Sequence, residues 1–163
     1  MAHGFTPDRR AVSVREITPD YLREMGVQAV LTDLDNTIAL HDAPQPTEEG
    51  AAWLQTLKEA GIPVFVVSNN HYQRVADFCE PFQVDFIYKS GKPFGRGIPR
   101  AIARLGMRRD QVVLVGDQLF TDVLAASFHR IPCILTEPIE LETKPFLRFK
   151  RVLEHLIDHN RRY

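Results

Sequence analysis

Two aspartates two residues apart, Asp33 and Asp35, follow the apolar run Val27-Gln28-Ala29-Val30-Leu31-Thr32 in a chain of 163 residues. A carboxylate can attack an electrophilic phosphorus and form an acyl phosphate. A second carboxylate two positions on can protonate the leaving oxygen and then deprotonate the hydrolytic water. Attack on a phosphate dianion requires that its charge be neutralised. Asp117 and Asp122, which follow another apolar run, supply hard oxygen ligands that suit Mg²⁺, with a substrate phosphate completing the shell. Ser68 and Asn69 offer hydrogen-bond donors to phosphoryl oxygens, and Lys92 adds a positive charge beside phosphate and nucleophile. An Asp-x-Asp-Asn sequence also occurs in turns and in calcium loops. A calcium loop, however, places Gly at its sixth position, and the sixth residue counted from Asp33 is Ile38.

These residues can meet only if the intervening chain brings them to one edge. Five apolar, β-branched runs read as buried strands: Val27 to Thr32, Ile62 to Val67, Val84 to Tyr88, Val112 to Val115 and Ile131 to Leu135. Helical patterns separate them. Thr18-Pro19-Asp20 opens a short helix that stops at Gly26, and Thr47 to Ala60 makes a second with Glu48 and Glu49 in its first turn. Tyr72 to Phe78, Ile98 to Leu105 and Thr121 to Phe128 follow. The expected fold is a three-layer α/β sandwich around a central parallel five-stranded sheet, in one domain spanning 1–163. Asp33 and Asp35, Ser68 and Asn69, Lys92, and Asp117 and Asp122 then each follow a strand, at the carboxyl edge where open α/β sheets bind ligands.

Asp33-Leu34-Asp35-Asn36-Thr37, Ser68-Asn69-Asn70, Lys92-Pro93 and Gly116-Asp117-Gln118-Leu119-Phe120-Thr121-Asp122 resemble the four motifs of the haloacid dehalogenase (HAD) superfamily. Gly26-Val27, Phe86-Ile87-Tyr88-Lys89 and the stretch from Val115 to Val123 further resemble the YqeG-type branch of subclass IIIA. The resemblance runs from about Ile17 to Leu156. It implies a Rossmannoid core and an Mg²⁺-dependent phosphatase acting through an aspartyl-phosphate, with Asp33 as nucleophile and Asp35 as acid and base. It implies Mg²⁺ on Asp33, the Asp35 backbone carbonyl and Asp117, with Asp122 also among the metal residues, and phosphate contacts from Thr37, Ser68, Asn69 and Lys92. Lys89 is a rival for the lysine role, although Lys92-Pro93 fits the motif better. The branch includes phosphatases similar to the mitochondrial enzyme that dephosphorylates phosphatidylglycerophosphate, and this lipid phosphate is the substrate the resemblance implies. Ala125-Ala126-Ser127 stands where the branch has Gly-Gly-Asn, and Pro145-Phe146 follows Thr143-Lys144 where it has Asn-Arg. HAD enzymes select substrates largely through inserted cap domains, and neither the gap from Thr37 to Thr47 nor that after Val67 can hold one. The alternatives are a phosphatase of a soluble sugar or nucleotide phosphate and a non-catalytic HAD-fold binding partner.

Composition is that of a globular soluble protein, with 44% hydrophobic and 25% charged residues and a net charge of −1, which disfavours nucleic acid as a partner. No apolar run approaches the roughly 20 residues that span a bilayer, and Met1 to Asp8 lack the apolar core of a secretory signal. Cys79 and Cys133 read as reduced thiols of a cytoplasmic protein. Neither is followed by Arg six positions on, and no GxxxxGK[ST] sequence occurs, so a cysteine phosphatase loop and an NTP-binding P-loop are both excluded. His41 and His71 follow motif strands; they read as surface loop histidines, with a place at the mouth of the site as the alternative. His155 and His159 lack the HExxH context of a zinc site. Lys144, Arg148, Lys150, Arg151, Arg161 and Arg162 crowd the C-terminal segment against Glu154 and Asp158, with Phe149, Val152, Leu153, Leu156 and Ile157 at helical spacing. A helix docking its apolar stripe on the sheet is expected there, and its basic face would also attract an anionic membrane from the cytoplasmic side. Oligomeric state is not legible.

Overall fold

The apolar runs become strands because every side chain in them finds cover. The computed structural model describes residues 4–41 and 43–140, and its strands are β1 (Arg9–Ala11), β2 (Ala29–Thr32), β3 (Val64–Val67), β4 (Asp85–Ile87), β5 (Val112–Gly116) and β6 (Cys133–Thr136). All pair in parallel, in the order β1-β6-β5-β2-β3-β4. Helices α1 (Pro19–Glu24), α2 (Glu48–Glu59) and α3 (Tyr72–Phe82) cover one face; α4 (Gly97–Leu105) and α5 (Leu124–His129) cover the other. Alternation along β2 divides the core between them. Val30 faces Leu22, Leu57 and Phe78, while Ala29 and Leu31 face Ile98, Ala101 and Ala125. The α/β three-layer architecture is therefore the expected one.

The sheet differs from expectation in having six strands. Arg9-Arg10-Ala11 has no apolar run to announce it, and only Ala11 is buried. It lies at an edge beside β6, where its ladder needs backbone groups alone, and the Asp8 carboxylate accepts from Cys133 N at 2.9 Å to fix its start. A short, doubly basic strand also discourages further pairing at that edge. Two helices differ as well. α3 continues past Phe78 to Phe82, whose ring stacks on Phe78 at 5.7 Å, and closes at Gln83 with φ 55°. The segment expected to be helical from Thr121 starts instead as a wide turn, Leu119–Val123, in which Gln118 O accepts from both Asp122 N (2.9 Å) and Val123 N (3.2 Å) before α5 begins.

Strand register sets the geometry of the carboxyl edge. Thr32, the last residue of β2, pairs with Val66 on one side and Val115 on the other. Asp33, Ser68 and Asp117 therefore leave the sheet side by side, one or two residues beyond a common level. No cap domain covers that edge among the described residues: residues 43–47 lead straight into α2, capped by Thr47 Oγ1 accepting from Gly50 N at 3.0 Å, and α3 occupies the span between β3 and β4. No described helix is long and apolar enough to cross a membrane. The expected C-terminal helix with its basic face, and His155 and His159, lie outside the described residues.

Candidate active site

Asp33 continues the ladder of β2, its N–H donating to Val115 O at 2.9 Å, so its side chain emerges at the centre of the carboxyl edge. The Lys92 ammonium meets it at 2.9 Å from Oδ1 and meets Asp122 Oδ1 at 2.8 Å. Asp117 and Asp122 are completely buried. Oxygens of Asp33, Asp117 and Asp122 all lie within 4.8 Å of one another. Three buried carboxylates cluster here, two of them paired with Lys92, and the electrostatics follow. Burial, reinforced by the Asp122 and Asp117 charges and opposed by Lys92, raises the Asp33 carboxyl from 3.8 to about 7. Burial alone would lower Lys92, but Asp122 and Asp33 outweigh it and hold the ammonium charged, above its ordinary range. Hard oxygen donors with unbalanced negative charge are the donor set a divalent cation takes, so these residues fit one.

Each acid is oriented by a neighbour. Thr37 Oγ1 donates to Asp117 Oδ1 at 3.3 Å, and Asp122 Oδ2 accepts from Gln118 N at 3.1 Å. Gly116 permits this packing, since a Cβ there would run into the Asp122 carboxylate. Gly116→Ala is accordingly expected to displace Asp122 and cost roughly 10–100-fold in metal affinity or turnover, as loss of a ligand-orienting contact usually does. Metal titration beside phosphate-release kinetics will check it; unchanged values for both would show that Asp122 does not need this seat.

Lys92 is placed by Asn69. The Asn69 Oδ1 accepts from Lys92 N (2.8 Å) and Ser90 Oγ (2.7 Å), while its Nδ2 donates to Lys92 O (3.0 Å). The side chain expected to touch phosphate is thus occupied with the lysine's own peptide groups. Thr37, likewise expected at the phosphate, uses its hydroxyl on Asp117. Ser68 stays at the strand end, its Oγ accepting from Asn70 N at 3.1 Å. Lys89 is exposed, whereas the Lys92 side chain is 2% exposed and meets Asp33.

Asp35 does not join the acid cluster. Its carboxylate is held by Arg74 and Asn70 of the loop and helix after β3. Sequence reasoning missed both partners. Asp33, Asp35, Ser68, Asn69 and Lys92 nevertheless line one open cleft of about 280 Å³, with His41, Gln118 and Thr121 on its walls. His41 is thus a wall of the cleft, while the His71 ring sits 2.7 Å from Asn70 Oδ1. Both cysteines are buried, and burial pushes the Cys79 thiol up to about 12 and Cys133 well above its ordinary value. Neither is a nucleophile.

A family model described as haloacid dehalogenase-like hydrolase matches residues 8–128. The chain is 39% identical over 153 residues to the probable phosphatase YqeG of Bacillus subtilis (strain 168), covering 94% of this chain and 89% of that protein. Solved structures share the fold at low identity. The putative 3-deoxy-D-manno-octulosonate 8-phosphate phosphatase of Vibrio cholerae superposes with a TM-score of 0.56 at 10% identity, over 89% of this chain and 93% of its own. The cobalt-bound deoxy-D-mannose-octulosonate 8-phosphate phosphatase of Haemophilus influenzae gives 0.55 at 13% identity, over 82% and 88%.

Proposed function

Because the chain belongs to the haloacid dehalogenase-like hydrolase family and is a phosphatase, we propose that Asp33 and Asp35 hydrolyse an alkyl phosphomonoester through an aspartyl-phosphate, the substrate being phosphatidylglycerophosphate. The observation that carries this reading is the buried Lys92 ammonium bridging Asp33 and Asp122, with Asp117 in the same cluster. Asp33 Oδ attacks phosphorus as the bond to the leaving oxygen breaks. Asp35 gives that oxygen its proton, then takes one from the water that attacks the aspartyl-phosphate, releasing inorganic phosphate and regenerating Asp33. Lys92 and Ser68 hold the phosphoryl oxygens, Asn69 holds Lys92, and Thr37 holds Asp117. Asp33, Asp117 and Asp122, with the Asp35 carbonyl, are the residues that would hold Mg²⁺, which would neutralise phosphate charge and steady the transition state.

The open cleft supports a phosphate carried on a bulky molecule, because no described segment closes over it to demand a small one. The basic C-terminal sequence supports an anionic lipid surface as the setting, at the cytoplasmic side. Phosphate release from phosphatidylglycerophosphate in mixed micelles, beside p-nitrophenyl phosphate, tests the proposal. Fast turnover of the lipid that falls to background in EDTA and returns with Mg²⁺ is the expected result. Turnover of the small ester alone would keep the chemistry and remove the lipid; silence on both would favour a binding role. EDTA-resistant turnover would remove the metal.

A further inference from the structure

Asp35 owes its placement to α3. Arg74 donates to Asp35 Oδ1 from both Nε (3.2 Å) and Nη2 (2.8 Å), and Asn70 Nδ2 donates to Oδ2 at 3.1 Å. Arg74 Nη2 also donates to Leu40 O at 3.3 Å, tying the carboxylate to the chain beyond the Asp33 loop. The pair is buried, with side chains 7% and 13% exposed. Stability does not account for it. Ion pairs out of water roughly break even against apolar packing, and Arg74 Nη1 is buried without a hydrogen-bond partner, which costs more. Arg74 sits on the helix face that carries Val75, Phe78 and Cys79 into the core, where an apolar residue would pack without either penalty.

The arrangement has a different consequence. Two N–H groups of one rigid guanidinium hold Oδ1 and the Asn70 amide holds Oδ2, so the carboxylate is anchored at both oxygens against turning about its terminal bond. Oδ2, with a single neutral donor, is left as the oxygen free to exchange a proton. We propose that Arg74 is a positioning residue for the phosphatase reaction, fixing the Asp35 carboxylate so that Oδ2 serves both the leaving oxygen and the hydrolytic water. This rests on the reading of Asp35 as acid and base.

The test compares kcat/KM for two esters, because only one needs the proton. An alkoxide leaving from glycerol 3-phosphate must be protonated; nitrophenolate leaving from p-nitrophenyl phosphate need not be. Misplacing a catalytic group by about 1 Å costs on the order of 100-fold. Arg74→Gln is expected to lower kcat/KM on glycerol 3-phosphate by about that factor and on p-nitrophenyl phosphate only a few-fold. Inhibition by inorganic phosphate should be unchanged. Arg74→Lys, which keeps the charge but offers a point donor, is expected to fall between Arg74→Gln and the parent, and it decides the matter should Arg74→Gln fail to give a cooperative melt. Asp35→Asn is the reference and should show the same selectivity. Equal losses on both esters for the Arg74 variants, or none, beside a selective Asp35→Asn would overturn the positioning role and leave Asp35 standing. Equal losses for Asp35→Asn itself would overturn the acid-base reading on which the proposal rests.

Discussion

Asp33→Asn is expected to lower turnover by on the order of 10⁴-fold or more, as removal of a nucleophile does in enzymes that work through covalent intermediates, and to leave the protein folded. The second half of this expectation follows from the charges around Asp33. Burial and the Asp122 and Asp117 carboxylates raise its folded pKa from 3.8 to about 7, so the folded state holds this proton more tightly than the unfolded chain. With no metal bound, the contribution of Asp33 to native stability should therefore fall as pH rises from about 4 through about 7. Asp33→Asn lacks that titration and does not strand Lys92, which keeps Asp122 at 2.8 Å. Its melting temperature in EDTA should rise relative to the parent across the same interval, and phosphate release should fall to background. Substantial residual turnover would remove Asp33 as nucleophile. A parent that gains stability relative to Asp33→Asn across that interval would show that Lys92 outweighs burial and the neighbouring carboxylates at Asp33.

Residues whose role depends on following a strand were legible, because a strand has a definite end and a parallel sheet places all its ends on one edge. Asp33, Ser68, Lys92 and Asp117 could be assigned to a common site without knowing a single contact. What could not be read is which polar groups are consumed by one another. Asn69 carries the right donors for a phosphate, yet its amide fits the Lys92 peptide on both sides, a match between residues 23 positions apart that no local pattern encodes. Arg74 was invisible for a related reason. On a helix whose apolar face is set by Val75 and Phe78, an arginine reads as one more solvated charge until the fold sets it against Asp35, 39 positions away. β1 escaped for the opposite reason, since an edge strand needs backbone pairing and little apolar surface. The wide turn at Leu119–Val123 was hidden because its helical composition says nothing of register. That turn lets Asp122 fold back to accept from Gln118 N, so the deviation from an ordinary helix falls where the site needs it.

Lys92→Met should separate the structural work of the positive charge from its catalytic work. The Lys92 side chain, 2% exposed, lies between Asp33 and Asp122, and removing one partner of a buried charge set costs about 3–5 kcal/mol. Methionine approximates the lysine stem in volume, so that cost arises from the stranded carboxylates and not from a cavity. In EDTA the variant is expected to melt well below the parent. The fitted acid cluster predicts the remedy: Mg²⁺ binding to the folded state alone adds stability as its concentration exceeds the dissociation constant, so Mg²⁺ should raise the melting temperature of Lys92→Met more than that of the parent. Turnover should not return with it, because a cation held by the acids does not replace the ammonium against the phosphate. Melts with and without Mg²⁺, beside phosphate release from p-nitrophenyl phosphate under the same conditions, read both quantities. Recovery of activity together with stability would reduce Lys92 to a counter-ion for the acids. Stability that Mg²⁺ leaves unmoved would mean that Asp33, Asp117 and Asp122 do not bind the cation, and the charge balance of the site would then rest on Lys92 alone.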